Sequence, residues 1–223
     1  MGIAEIIEET SELFIYANVI CYGNAASESI ANVVAAEIQE LWNEAKGTVR
    51  INGRDLKVVF AITGYYNPNL TAGEVVNNRD PLNNYFRIED SAPGNISFVD
   101  GLGSNTGYFK LDNLLNGSTT AAHEFGHTLG LDHPEILDIR GEGQPGIMYP
   151  RGTFVDNIYQ YYPEVAAGEN GGTINPAFRK VLPGDINLIG LTTLNFINNK
   201  AVVGNFSSRW HPKYDTPPLT API

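Results

Sequence analysis

The sequence predicts an α+β fold in which a twisted, mixed β-sheet is backed by a long helix. Residues 13–22 and 55–66 are apolar runs rich in β-branched and aromatic side chains, the pattern of buried strands. Between them, residues 28–46 place Ile30, Val33, Val34, Ile38, Leu41 and Trp42 on one side of a helix. Three short strand-like stretches follow, and strand, helix, then several strands makes a sheet with a helix against one face.

In chain order, residues 3–9 space Ile3, Ile6 and Ile7 as a short N-terminal helix would. The strand 13–22 ends at Gly23-Asn24. Ser27 can cap the helix 28–46, because its hydroxyl can accept a first-turn N–H, and Gly47 closes that helix. The second strand, 55–66, buries Leu56, Val58, Val59, Phe60 and Ile62. A loop rich in Asn and Pro runs over 67–84, then short strands at 85–89, 96–100 and 108–111, the last two separated by Gly-Ser-Asn turn residues. Ser118 or Thr119 caps a helix that reaches about residue 129. Residues 134–143 are loop-like, and 151–178 are irregular and aromatic. A last helix spans 183–191, with Asp185 in its first turn, where a carboxylate complements the helix dipole. From 192 the apolar Phe196, Val202, Val203, Phe206 and Trp210 pack as an extra strand or strap.

Residues 123–133 read His-Glu-Phe-Gly-His-Thr-Leu-Gly-Leu-Asp-His. On a helix, His123 and His127 leave one face a turn apart and can share a metal ion. Glu124 stands between them, placed to take a proton from a metal-activated water. Gly130 falls where the helix must stop. Without a Cβ it accepts a positive φ, so the chain can turn and bring His133 round as a third ligand. Three neutral imidazoles leave a fourth position open, the arrangement of a catalytic zinc site. Gly146-Ile147-Met148-Tyr149-Pro150 forms a turn in which Met148 lies 15 residues after the last of these histidines.

A chain of 223 residues, 43% hydrophobic, can bury a proper core as one domain, with room for two lobes. Its net charge of −11 offers no dense basic stripe, so no nucleic-acid partner is expected. Acidity favours solubility and cationic substrates. The single cysteine, Cys21, excludes an intrachain disulfide and reads as a buried, inert thiol. No stretch approaches the about 20 apolar residues of a membrane span. Glu5, Glu8, Glu9 and Glu12 replace the basic start of a signal peptide. An exported or secreted mature domain is favoured over a cytoplasmic one.

The five fixed positions of H-E-x-x-H-x-x-G-x-x-H, together with Met148, resemble the signature of the metzincin clan of zinc endopeptidases. Motif identity is confined to residues 123–133 and 146–150; the order of elements is similar over 12–191. The resemblance implies a catalytic domain over residues 1–191. Its upper lobe, about 1–130, would hold a twisted, mixed five-stranded sheet and two helices. Its irregular lower lobe, about 131–191, would hold the Met turn and a C-terminal helix. Residues 192–223 would be an extension packed on the domain. It also implies one catalytic Zn²⁺ held by His123, His127 and His133, Glu124 as general base, and Met148 as a hydrophobic floor under the metal. Tyr149, Pro150 and Phe154 would belong to the specificity-pocket wall. Pro134 looks like the serralysins, and Met148-Tyr149-Pro150 and Leu182-Pro183-Gly184-Asp185-Ile186-Asn187 look like the matrixins. Serralysins and astacins place a tyrosine two residues after the methionine. Here that position is Pro150, so a tyrosine switch is not implied. The latency setting Pro-Arg-Cys-Gly is absent around Cys21. The activity implied is zinc-dependent hydrolysis of peptide bonds in protein or peptide substrates by a monomer. Substrate would lie antiparallel to an edge strand at residues 95–99.

Other residues carry a sharp and a bland reading. Asp90, Asp100 and Asp112 offer hard oxygens for Ca²⁺, yet Asp serves turns for backbone reasons alone. His211 is a further ligand or an ordinary packing histidine. Arg151 contacts substrate or is a solvated charge. Tyr159, Tyr161 and Tyr162 line the cleft or fill a lobe poor in regular structure. The rival function is an intact but blocked zinc module, a binding or latent effector domain, with residues 192–223 lying in the cleft. A third is a hydrolase of a small non-protein amide, which a closed cleft would favour.

Overall fold

The computed structural model describes residues 1–115 and 117–215 of the chain. Its strands are β1 (Gly2–Ile7), β2 (Glu12–Tyr22), β3 (Thr48–Ile51), β4 (Arg54–Tyr66), β5 (Asn83–Glu89), β6 (Phe98–Val99), β7 (Thr106–Lys110) and β8 (Lys200–Val203). Its α-helices are α1 (Glu28–Glu44), α2 (Ala72–Val76), α3 (Thr120–Thr128) and α4 (Pro183–Leu188). The protein is α+β with one mixed sheet, ordered β3-β4-β2-β5-β7-β6.

β2 is the centre of that sheet. One side runs parallel to β4 from Glu12↔Lys57 to Cys21↔Tyr66. The other side is shared: its start pairs antiparallel with β1 and its end pairs parallel with β5. Leu13, Ile15, Ala17, Val19 and Cys21 alternate into the core, as a half-covered strand requires. Covering that face, α1 starts at Ser27, whose Oγ accepts Ile30 N–H at 3.2 Å.

The structure corrects several expectations. Residues 3–9 are not a helix: β1 pairs with β2 on one side and β8 on the other. Their isoleucine spacing is helical and does not alternate, since Ile6 shares the core-facing side of the strand with Ala4 while Ile3 and Ile7 take the other side. So short a helix does not hold itself together, and two ladders offer the backbone partners instead. The described residues contain eight strands where the resemblance implied five. β3 went unread although Asn52-Gly53, both with positive φ, is a hairpin signal that pairs it with β4. The extra strand expected beyond 192 is β8. Lys46, not Gly47, takes the left-handed position after α1. The loop 67–84 contains α2, opened by a reciprocal Thr71–Glu74 capping box. The final helix stops at Leu188, and the edge strand shrinks to Phe98–Val99 behind a single turn at Pro93–Asn95.

The same side of the sheet receives α3, which packs on α1. The Trp42 indole lies 5.2 Å from the Phe60 ring and 6.2 Å from Phe125, and its Nε1–H donates to Ala122 O at 3.1 Å. Beyond His133, Ile139, Val155 and Ile174 make a small separate apolar cluster. No helix among the described residues is long and apolar enough to cross a membrane.

Candidate metal centre

His123 and His127 lie one turn apart on α3, both buried. The helix ends in a Schellman motif at Gly130 (φ +97°). Leu131 N–H bonds Gly126 O at 3.1 Å, and Gly130 N–H bonds His127 O at 3.0 Å. That reversal returns the chain across the end of α3. His133 Nε2 thereby comes within 3.1 Å of both His123 Nε2 and His127 Nε2.

The other ring nitrogens are already committed. His123 Nδ1 bonds Ile147 O at 2.7 Å, and His127 Nδ1 bonds Leu131 O at 2.7 Å. A carbonyl only accepts, so each Nδ1 carries the proton and each Nε2 turns a lone pair toward the common point. Burial holds all three imidazoles below the usual histidine range, with the Arg179 charge adding to it at His123 and neighbouring imidazolium repulsion at His133. Neutral rings are what a metal needs.

This donor set fits zinc. Tetrahedral Zn–N bonds of about 2.0–2.1 Å place ligand atoms about 3.3 Å apart. The three nitrogens lie within 4.8 Å of one another, with two of the separations at 3.1 Å. A proton between one pair would leave the third lone pair unserved, whereas a cation at the centre serves all three. Among the described residues this is the only such grouping of His, Cys, Asp or Glu.

Glu124, 6% exposed, lies beside the cluster. Burial pushes its carboxyl up to about 8, against the Arg179 charge and the Val99 backbone N–H. Below α3, the turn Gly146–Tyr149 presents the Ile147 carbonyl to His123 and buries Met148 against the helix. A methyl group on Gly126 would overlap Met148 Sδ, so glycine there admits the methionine to the helix backbone.

Two positioning residues were missed by sequence reasoning. Arg179, 4% exposed, donates from Nε to Thr119 Oγ1 at 3.0 Å, from Nη1 to Tyr149 O at 3.2 Å and from Nη2 to Ser118 O at 3.2 Å. It joins the start of α3 to the Met148 turn. Nη1 also lies 3.0 Å from His123 Nδ1, but that nitrogen's proton belongs to Ile147 O, so the contact is no hydrogen bond. Burial lowers the guanidinium to about 10. Glu37 of α1 accepts Ala122 N–H at 3.2 Å. It does the work expected of Thr119, whose side chain caps nothing, while Ser118 Oγ accepts Thr120 N–H at 3.3 Å. Neither Arg179 nor Glu37 stands in a periodic or motif context that singles it out.

The three histidines, Glu124 and Arg179 line a cleft of about 420 Å³ between β6 and α3. Ile96 and Leu102, about half exposed, mark its open rim. Of the expected pocket wall, Pro150 lines the cleft, as does Arg151. Tyr149 packs instead on the Ile139 cluster, and Phe154 lies under the Arg140 guanidinium. Tyr159 packs with Tyr149, while Tyr161 and Tyr162 are exposed. The three aspartates are not gathered: Asp90 is exposed, Asp112 pairs with Lys110, and Asp100 accepts from His211 Nε2 at 2.9 Å. His211 rests edge-on against Phe98 and Tyr108, outside the cluster of three histidines. Residues 205–214 run past Asn105, Tyr22 and Tyr108, and none of the described residues after 191 lines the cleft. Cys21 is fully buried.

No protein-family model and no curated protein matches this chain.

Proposed function

We propose that this protein is a zinc-dependent endopeptidase. The observation that carries the reading is the convergence of three Nε2 lone pairs beside a buried carboxylate in an open cleft. His123, His127 and His133 would hold the ion, which when bound supplies Lewis-acid chemistry, polarising a carbonyl and acidifying water.

The chain's own residues do the rest. Backbone carbonyls of Ile147 and Leu131 lock the His123 and His127 rings, so the site is organised before the ion arrives. Glu124 takes a proton from the attacking water on a carboxylate oxygen and returns it to the departing amine nitrogen. Burial raises its proton affinity, which suits a base, and the Arg179 charge opposes that rise. The β6 edge supplies backbone groups along which an extended substrate can add as a strand. The half-exposed rim at Ile96 and Leu102 favours a chain segment over a small amide.

The test is a mass-spectrometric scan of a peptide library with the zinc-loaded protein, beside Glu124→Ala and a chelated control. Cleavage present in the first and lost in both others supports the reading; absence of cleavage by protein with one bound zinc overturns it.

A further inference from the structure

We propose that the cleft selects an acidic substrate side chain directly after the scissile bond and receives it on Arg179. The inference rests on the endopeptidase reading for the word scissile, but not for the binding itself.

Charge gives the first argument. The chain has 25 acidic residues against 14 lysines and arginines. The cleft lining reverses that excess: Arg151 and Arg179 stand there with a single carboxylate, Glu124, which the reaction itself uses. An acidic protein has therefore built a cationic cleft, contrary to the cationic substrates its net charge suggests.

Hydrogen bonding gives the second. Arg179 is almost wholly buried, and no carboxylate among the described residues lies within ion-pair distance of it. Three of its N–H groups meet Thr119, Tyr149 and Ser118, all neutral acceptors. A guanidinium has five; the second Nη1 N–H faces His123 Nδ1, so one Nη2 N–H is left for the cleft it lines. The Glu124 and Glu37 charges favour the buried cation from a distance without bonding it, and an entering carboxylate adds a charge-assisted bond that a fixed, planar guanidinium makes well. Arg151, held by Asn113 Oδ1 at 3.1 Å, adds a second positive charge at the mouth.

Direction gives the third. Asn113, which holds Arg151, also donates to Ser97 Oγ at 3.3 Å, and Arg179 donates to Ser118 O, whose own hydroxyl donates to Asn113 O, so both arginines sit at the Ser97 end of β6. The other end, past Val99, leads to Gly103, whose N–H bonds His127 O. A substrate strand antiparallel to β6 runs from the Gly103 end to the Ser97 end, passing the imidazoles between. The residues that reach Arg179 are those beyond the cleaved bond.

The experiment uses peptide sets differing only in the residue before or after the bond, with Glu, Gln or Leu at each position, read as kcat/KM on the zinc-loaded protein. Glu over Gln by about tenfold is expected after the bond and not before it, the worth of one charged hydrogen bond. In Arg179→Gln that ratio falls to about one, and Arg179→Lys restores part of it. The ratio within one variant does not depend on how much protein folds, so an Arg179 that only braces α3 would leave it unchanged. Equal cleavage of Glu and Gln peptides by the parent protein overturns the proposal and leaves the endopeptidase reading standing. Reduced-amide versions of the same peptides, which cannot be cut, give Kd directly. Tighter binding of the Glu version without any cleavage of normal peptides supports the acidic site and removes the endopeptidase reading; equal Kd overturns the site.

Discussion

The Glu37 carboxylate accepts the Ala122 backbone N–H at 3.2 Å, so the helix that holds two of the three clustered histidines is capped by a residue 85 positions earlier. Burial raises the Glu37 carboxyl, and the N–H groups of Ala122 and Ala121 oppose that rise. Glu37→Ala is expected to cost about 1 kcal/mol, as for other lost caps, and Glu37→Gln less, because an amide oxygen still accepts. Urea denaturation with and without zinc checks this. Equal loss for both variants would show that the carbonyl-type acceptor is unimportant.

Gly126 and Met148 are expected to be energetically coupled. Gly126→Ala gains helix propensity, yet its methyl must displace the thioether, so the net effect is a loss of about 1–3 kcal/mol. In the Met148→Ala background the obstacle is gone and the same change becomes neutral or stabilising. A double-mutant cycle by thermal or denaturant unfolding measures the coupling, and simple additivity would refute the packing argument.

Gly130→Ala meets no neighbouring atom within 4 Å, so its cost is backbone strain alone at φ +97°. About 1–2 kcal/mol is expected, with weaker zinc binding because the reversal that delivers His133 is loosened. Calorimetric zinc titration separates that loss from a general loss of fold.

One zinc ion per chain is expected to bind and raise Tm. A thousandfold excess over Kd contributes about 4 kcal/mol, and at about 2–4 °C per kcal/mol in a chain of this size the shift is roughly 10 °C. His133 is exposed, so His133→Ala should abolish most of that shift while leaving the metal-free Tm nearly unchanged. His123→Ala also strands the Ile147 carbonyl and should lower the metal-free Tm as well.

Burial pushes the Cys21 thiol up to about 12. Its folded-state pKa exceeds the unfolded value of 9.0, so the native state keeps the proton longer and stability falls as pH rises from about 9 toward 12. At pH 8 the folded protein should not react with Ellman's reagent, and reaction should follow only the unfolded fraction. Rapid native labelling would contradict the burial; Cys21→Ser should flatten this part of the alkaline profile.

The sequence by itself determined the α+β class, the positions of β2, α1, β4 and α3, and the identity of the three clustered histidines and Glu124. Those depend on local period and spacing: alternation along β2, a one-face stripe along α1, a four-residue step from His123 to His127 and a glycine where α3 must reverse. Residues 3–9 misled because Ile3, Ile6 and Ile7 follow the helical period and not alternation, and only pairing with β2 and β8 made the segment a strand. The site's supports were equally hidden. Glu37, Ile147 and Arg179 act on α3 from distant parts of the chain through one carboxylate, one carbonyl and one guanidinium, and no short-range pattern records such meetings. The tertiary structure alone decided them, because a buried polar group is bonded to whatever the packed chain brings within reach, wherever that lies in the sequence.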